Sequence, residues 1–295
     1  MLDYHLHLWP HGQRDTAPTL DQVAAYCERA QAAGVTEIAL TEHLFRFSQA
    51  DRLLRGFWID EPDAALRVSM ENYWDDHARA DLDAYVDCVL AAKDAGLPVV
   101  LGLEVDYYRG RMDDVATLLA GYPFDVLLGS VHWLGAWRFD DLDDPVSMDE
   151  WTGRGIDRAW SDYVVAIEEL AATGTCDVLA HPDLVKVAGH RPRSLDEYWD
   201  TLVVAAVSSG MAAELSSAGY RKPAAEAYPS QPLLERFVRH GVPLTTASDA
   251  HRLADVALRS ADLADQLSAL DVATLRAFRA RRPHDVPVQV EVPLP

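Results

Sequence analysis

The feature that most constrains this chain is a rhythm: short apolar runs alternate with amphipathic stretches, and glycines close the amphipathic ones. The apolar runs cover residues 2–5, 36–41, 98–105, 125–131, 177–180, 212–215 and 244–247, each of strand length. Helical periods fall between them, over 20–33, 78–95, 111–120, 158–172, 194–209 and 231–240. Gly34, Gly96, Gly121, Gly174, Gly210 and Gly241 each sit just past one of these periods, where a left-handed C-cap is wanted before the next strand. Seven strand–helix units with glycine stops point to an α/β chain, either a parallel barrel or a wound sheet.

Two segments break the rhythm. Residues 45–77 are polar and aromatic, with Phe47, Phe57, Trp58, Tyr73 and Trp74, while residues 134–155 are acidic and loop-like. Insertions at the C-terminal ends of barrel strands are where lids and substrate pockets grow. The aromatics of 45–77 suit either a wall for a flat ring or the lid's own small core. The tail over 286–295 is a candidate edge strand that its prolines weaken. A chain of 295 residues fits one barrel domain spanning 1–295, and it can bury a core without metal or disulfide staples. Bound metal is therefore expected to be catalytic.

Charge narrows the partners. A net charge of −21 repels nucleic acid and anionic lipid, so neither is expected to bind. It also opposes a small phosphorylated metabolite unless cations reverse the field locally. Cys27, Cys88 and Cys176 are odd in number and widely spaced, which argues against a disulfide framework and against a cysteine zinc site. Met1 leads directly into Asp3-Tyr4-His5 with no signal-peptide pattern, and no stretch approaches the roughly 18 apolar residues of a membrane span. The expectation is a cytoplasmic protein.

Histidines and acids gather at the C-terminal ends of the expected strands. His5, His7 and His11 follow the first, His43 the second, Glu104 the third, His132 the fourth, His181 the fifth, and Asp249 and His251 the seventh. Residues two apart on a strand point the same way, so His5 and His7 converge, as do Asp249 and His251. One His-x-His means little; nine imidazole and carboxylate ligands on one rim make a site. The mixture suits zinc, manganese or iron better than magnesium or calcium, and it exceeds what one ion takes, so two or three divalent ions are implied. His77, His190, His240 and His284 lie in helical or polar stretches and are expected on the surface.

The stretches Asp3-Tyr4-His5-Leu6-His7, Thr41-Glu42-His43, Gly102-Leu103-Glu104-Val105-Asp106-Tyr107, Gly129-Ser130-Val131-His132, His181-Pro182-Asp183-Leu184-Val185-Lys186 and Ser248-Asp249-Ala250-His251 resemble the motifs of the polymerase-and-histidinol-phosphatase (PHP) superfamily. Ser217-Ala218-Gly219-Tyr220-Arg221-Lys222-Pro223 and Tyr228-Pro229-Ser230 resemble its histidinol-phosphatase branch. Around Glu214 the chain reads Ala213-Glu214-Leu215-Ser216-Ser217, which departs from that family's usual Glu-Ile-Asn-Thr-Ser. The resemblance implies a distorted (β/α)7 barrel with lid insertions over a trinuclear metal site. Carried across, His5, His7, Glu104 and Asp249 would hold the first ion, Glu104, His132 and His181 the second, and His11, His43 and His251 the third.

The resemblance further implies a metal-dependent phosphomonoesterase acting on histidinol phosphate, in which a hydroxide bridging two ions attacks phosphorus in line. Glu104 and Asp249 would serve catalysis by holding that bridge. Arg221 is the expected bidentate phosphate contact, with Lys222 and Lys186 as further contacts. Asp106 and Asp183 are expected to orient histidine ligands rather than to donate protons. Two other readings stand beside this one: a PHP enzyme for a different small phosphate ester or diester, and a non-catalytic domain that binds metal or ligand. An amidohydrolase is disfavoured, because no lysine stands at a strand end where a carboxylated lysine would be needed.

Overall fold

The apolar runs become strands because each has a covered face on both sides, the barrel interior on one and helices on the other. The computed structural model describes residues 1–10 and 16–288. Seven parallel strands, β1 (Leu2–Leu6), β2 (Glu37–Leu40), β3 (Val99–Asp106), β4 (Val126–Ser130), β5 (Val178–Leu179), β6 (Ala212–Ser216) and β7 (Leu244–Ala247), pair in chain order. Every residue of these strands but Glu37 is buried. The result is the expected seven-stranded α/β barrel, nearly closed.

The seam between β1 and β7 is made largely by side chains. Leu6 bridges Ala250, and His7 N donates to Ala250 O at 2.8 Å. Below that point the Asp3 carboxylate stands in for a ladder, accepting from Ser248 N and Oγ, both at 2.7 Å, and from Ala257 N at 2.9 Å.

Among the described residues the α-helices are α1 (Leu20–Ala32), α2 (Ser48–Leu54), α3 (Ala64–His77), α4 (Leu82–Asp94), α5 (Met112–Leu119), α6 (Pro145–Arg154), α7 (Ile156–Ala172), α8 (Asp196–Ser209), α9 (Gln231–Arg239) and α10 (Ser260–Ala269). None is long and apolar enough to cross a membrane. The segment 134–155 was expected as loop, but its second half is α6, nucleated by the Asp144 side chain accepting from Val146 N and by Pro145 in the first turn. The insert 45–77 folds into α2 and α3; Asp63 caps α3 by accepting from Ala65 N and Leu66 N, and Leu66, Met70 and Trp74 form its buried stripe.

The C-terminal segment forms an antiparallel hairpin, β8 (Thr274–Arg279) and β9 (Arg282–Pro287). The expected edge strand thus ends at Pro287, and residues 289–295 lie outside the described residues. The hairpin seals the N-terminal mouth of the barrel through acids that start the strands. Arg279 pairs with Glu37, Ala280 N donates to Asp125 at 3.1 Å, and Arg281 pairs with Asp177 while donating to Thr175 O at 2.7 Å. The opposite mouth is left for chemistry.

Candidate metal centre

Six strand ends deliver the expected ligands to one point, and Glu104 of β3, fully buried, is its hub. Glu104 Oε2 faces His5 Nε2 at 3.2 Å, His7 Nε2 at 3.5 Å and His43 Nδ1 at 2.7 Å. Its other oxygen, Oε1, faces His181 Nε2 at 3.0 Å and His132 Nε2 at 3.3 Å. Asp249 Oδ1 approaches His7 Nε2 at 3.4 Å and His5 Nε2 at 3.8 Å, and His251 Nε2 lies 3.4 Å from His43 Nε2. Of the nine expected ligands only His11 is not placed here, because it lies outside the described residues.

Local backbone explains how two of them arrive. Strand β5 ends at Leu179, and His181 turns into the site with φ 28, while Asp249 leaves β7 with φ 50. Positive φ is uncommon for residues with side chains, and such strain gathers at functional sites.

Three carboxylates stand behind the ring of imidazoles. His5 Nδ1 lies 2.8 Å from Glu214 Oε2, His132 Nδ1 lies 2.6 Å from Asp106 Oδ1, and His7 Nδ1 lies 3.6 Å from Glu42 Oε2. At His5 and His132 the carboxylate accepts from Nδ1, which would leave Nε2, the nitrogen facing Glu104, for a metal ion, whereas Glu42 stands beyond hydrogen-bond reach of His7. Asp106 was expected in this role. Asp183 was not found in it: its Oδ2 instead accepts from Ser230 N and pairs with Lys186, both at 2.8 Å. Glu214 and Glu42 were missed, although each occupies or adjoins a strand end in the motif pattern.

The charges of the cluster act strongly on one another. Burial alone would push the His5 imidazole down, but Glu214, Glu104 and Asp249 together hold it well above its ordinary value. Burial alone would push the Glu104 carboxyl up, but His43, His5, His132 and His181 hold it well below the usual range. Asp249 is held down in the same way by His5, His7 and His251. His43 goes the other way, pushed well below its ordinary value chiefly by burial.

The donor set fits divalent metal. His5 Nε2, His7 Nε2 and Glu104 Oε2 are sealed from water yet make no hydrogen bond. Ligands at about 2.0–2.1 Å from a tetrahedral ion stand about 3.3–3.4 Å apart. That is close to the spacing of most donors around Glu104. Four groups of three could each hold an ion: His5–His7–Asp249, His5–Glu104–His181, His7–His43–His251 and His43–Asp106–His132.

A cavity of about 530 Å³ opens over this cluster. Phe45, Tyr73 and His77 form one wall with Trp133, while Asp140, Asp141 and Asp143 form an acidic side. The insert thus lines the cavity and also packs a core of its own, with Phe57, Trp58 and Trp74 against one another at 5.1–5.6 Å. His77 is a correction to the surface expectation: it lines the cavity, stacked on Tyr73 at 4.0 Å.

The expected phosphate contacts divide. Arg221 and Lys222 reach the cavity. Arg221 Nη2 donates to Ser248 O at 2.9 Å and Asp249 O at 2.8 Å, which anchors the guanidinium beside the candidate metal ligands. Lys186 does not present itself to a substrate. Its ammonium is buried and its three donors are taken by Asp183 Oδ2 at 2.8 Å, Glu226 Oε1 at 2.9 Å and Ala227 O at 2.7 Å.

The profile of the PHP domain family matches residues 3–218. The chain is 31% identical over 285 residues to a protein of Deinococcus radiodurans named probable histidinol-phosphatase, covering 96% of this chain and 98% of that one. A Schizosaccharomyces pombe protein of the same name is 27% identical over 168 residues, 52% of this chain and 53% of its own. Among solved structures, the histidinol phosphate phosphatase of Lactococcus lactis, complexed with zinc, L-histidinol and phosphate, superposes with a TM-score of 0.66 at 17% identity, covering 96% of this chain and 98% of that one. At that identity the likeness shows the fold.

Proposed function

The chain belongs to the PHP domain family, and from that premise we propose that it is a metal-dependent phosphomonoesterase that hydrolyses histidinol phosphate to histidinol and phosphate. The observation that carries the reading is Glu104, one buried carboxylate with imidazoles ranged on both of its oxygens, which suits a bridge between two ions. His5, His7, Glu104 and Asp249 would hold one ion and Glu104, His132 and His181 a second. His43 and His251 would hold a third, with His7 beside them in this structure and His11 the ligand the family resemblance supplies. Divalent ions so held would supply Lewis acidity and would lower the pKa of bound water toward about 7.

The chain's own residues bind and orient. Arg221, fixed by two carbonyls through one nitrogen, keeps the rest of its guanidinium fork for the phosphate, with Lys222 beside it. The faces of Phe45, Tyr73 and Trp133 suit an imidazole ring, and the acidic side at Asp140 suits an ammonium group. Histidinol phosphate carries both groups. The Deinococcus relative's name and the zinc, histidinol and phosphate of the Lactococcus structure support the same substrate. We take 1–295 as one barrel domain with 45–77 and 134–155 as its lid, working in the cytoplasm.

The test is phosphate release by metal-loaded protein from histidinol phosphate beside a panel of other phosphomonoesters and diesters. A kcat/KM of about 10⁴ M⁻¹s⁻¹ or more for histidinol phosphate, well above the panel and abolished by chelator, is the expected result. Weak turnover spread evenly over the panel would overturn the substrate and leave a PHP phosphoesterase of different specificity.

A further inference from the structure

Tyr228 is a phenol without a task in the account so far, and it stands in the wall of the same cavity. The residue is 1% exposed, and its hydroxyl, sealed from water, makes no hydrogen bond. Buried phenols nearly always find a partner. Here the ring cannot swing to find one. Its backbone exchanges two hydrogen bonds with Ser216 at the end of β6, at 2.6 and 3.0 Å. Gly219 lies flat against it, where a Cβ would stand 3.1 Å from both Cε2 and Cζ. The Lys186 ammonium sits 5.1 Å from the ring centroid, and the His181 ring meets it edge-on at 6.3 Å. The hydroxyl of a cavity-lining residue is thus held in place with no partner within the protein.

We propose that the Tyr228 hydroxyl donates a hydrogen bond to the ester oxygen of the substrate, the atom that departs with the alcohol. This rests on the phosphomonoesterase reading above. Tyr228 lines the same cavity as His181 and Asp249 of the candidate metal centre and Asp140 of the acidic wall, so an ester oxygen lying between phosphate and ammonium shares that space with the phenol. The charge argument agrees. The non-bridging phosphoryl oxygens are anionic from the start and suit Arg221, Lys222 and metal. The ester oxygen gains charge only as its bond to phosphorus breaks, and a neutral donor fixed in a water-poor wall is matched to charge that develops there. The electron pair of the breaking P–O bond remains on the ester oxygen, and the proton the alcohol finally carries comes from water.

The experiment compares wild type and Tyr228→Phe, both metal-loaded, on alkyl phosphates including histidinol phosphate and on an aryl phosphate such as p-nitrophenyl phosphate. The expected result is a fall in kcat of about 10²–10³-fold on alkyl esters with little change in KM. The aryl ester, whose leaving oxygen spreads its charge into the ring, should lose less than about tenfold by the same logic. Equal losses on both classes, or none on either, would overturn the proposal. Metal content and thermal midpoint report whether the variant is intact. If it does not fold, the dependence of wild-type kcat on leaving-group pKa decides: a shallow slope supports a donor at the leaving oxygen, and a slope as steep as that of metal-promoted hydrolysis in water removes it. A wild-type protein that cleaves no phosphomonoester sinks the parent reading and this inference with it, whereas an active enzyme with a class-blind variant sinks this inference alone.

Discussion

Replacing Lys186 by methionine separates two roles for one ammonium. As a phosphate contact it would be dispensable to the fold, and its loss would raise KM. The structure instead places it in the interior, closing Asp183 Oδ2, Glu226 Oε1 and Ala227 O. Methionine fills similar volume, so little of the effect comes from a cavity. What remains is Asp183, fully buried and stripped of its cation, with Ser230 N as its remaining close partner. Breaking a buried pair from one side costs about 3–5 kcal/mol. A ceiling comes from the escape open to any stranded carboxylate, which is to take up a proton; from an ordinary carboxylic pKa that costs about 4 kcal/mol at pH 7. Glu226 is partly exposed and re-solvates with little penalty. The expected destabilisation is therefore about 3–4 kcal/mol, or a drop in Tm of roughly 6–16 °C for a chain of this size. Urea or thermal unfolding reads it, with kinetics taken at low temperature on folded protein. Unchanged stability together with a raised KM for a phosphomonoester would refute the reasoning and return Lys186 to the substrate.

Glu214→Gln keeps a hydrogen-bond acceptor for His5 Nδ1 but removes the charge behind it. Metal affinity should fall about 10–100-fold in a chelator competition, and an unchanged affinity would mean that Glu214 does not act through His5. Gly102→Ala puts a Cβ 2.7 Å from Thr41 Cγ2 and 3.0 Å from Leu40 O, between two strands, so unfolding should show a loss of about 1–3 kcal/mol; a neutral result would mean the strands can part. Partial burial alone would raise the Asp144 carboxyl, but bonds from Ser69, Ser147 and Val146 N, with Arg138 alongside, hold it below the usual range. Its folded value lies below its unfolded one, so its stabilisation is present above about pH 4 and is lost as pH falls through the folded value. The stability gap between wild type and Asp144→Asn, roughly 1 kcal/mol after solvent screening, should be level from pH 7 to pH 5 and close below about pH 4.

Much of this architecture could be read from the sequence because it rests on local signals. Strand β7 coincides with the apolar run at 244–247, and the gathering of the candidate ligands at one rim followed from strand ends alone. Where tertiary contacts overrode local preference, reading failed. The hairpin β8–β9 turns at Ala280 and Arg281, with φ 48 and 62, where a sequence signal would be Asn-Gly. Asp125 and Asp177 hold that turn from across the barrel mouth, and nothing local announces them. Helix α10 follows Arg259, whose backbone is left-handed and whose side chain makes no capping hydrogen bond, so it too lacked a start signal. Helix α6 is different: Asp144-Pro145 is a cap followed by a first-turn proline, and it was there to be read. Lys186 misled because a lysine three residues after a ligand-adjacent aspartate fits a site and an interior pair equally well.

The seam between β1 and β7 bears on how the molecule is made. His5 and His7 stand on one side of it, Asp249 and His251 on the other, so an ion held by this group would be stitched to both edges of the last gap to close. During translation at about 5–20 residues per second, β7 is synthesised roughly 12–50 s after β1. Through that interval the nascent chain presents β1 with an open edge and half a coordination shell. Metal would then be captured at high affinity only by completed chains, and its arrival would lock the two edges together as the final event of biogenesis.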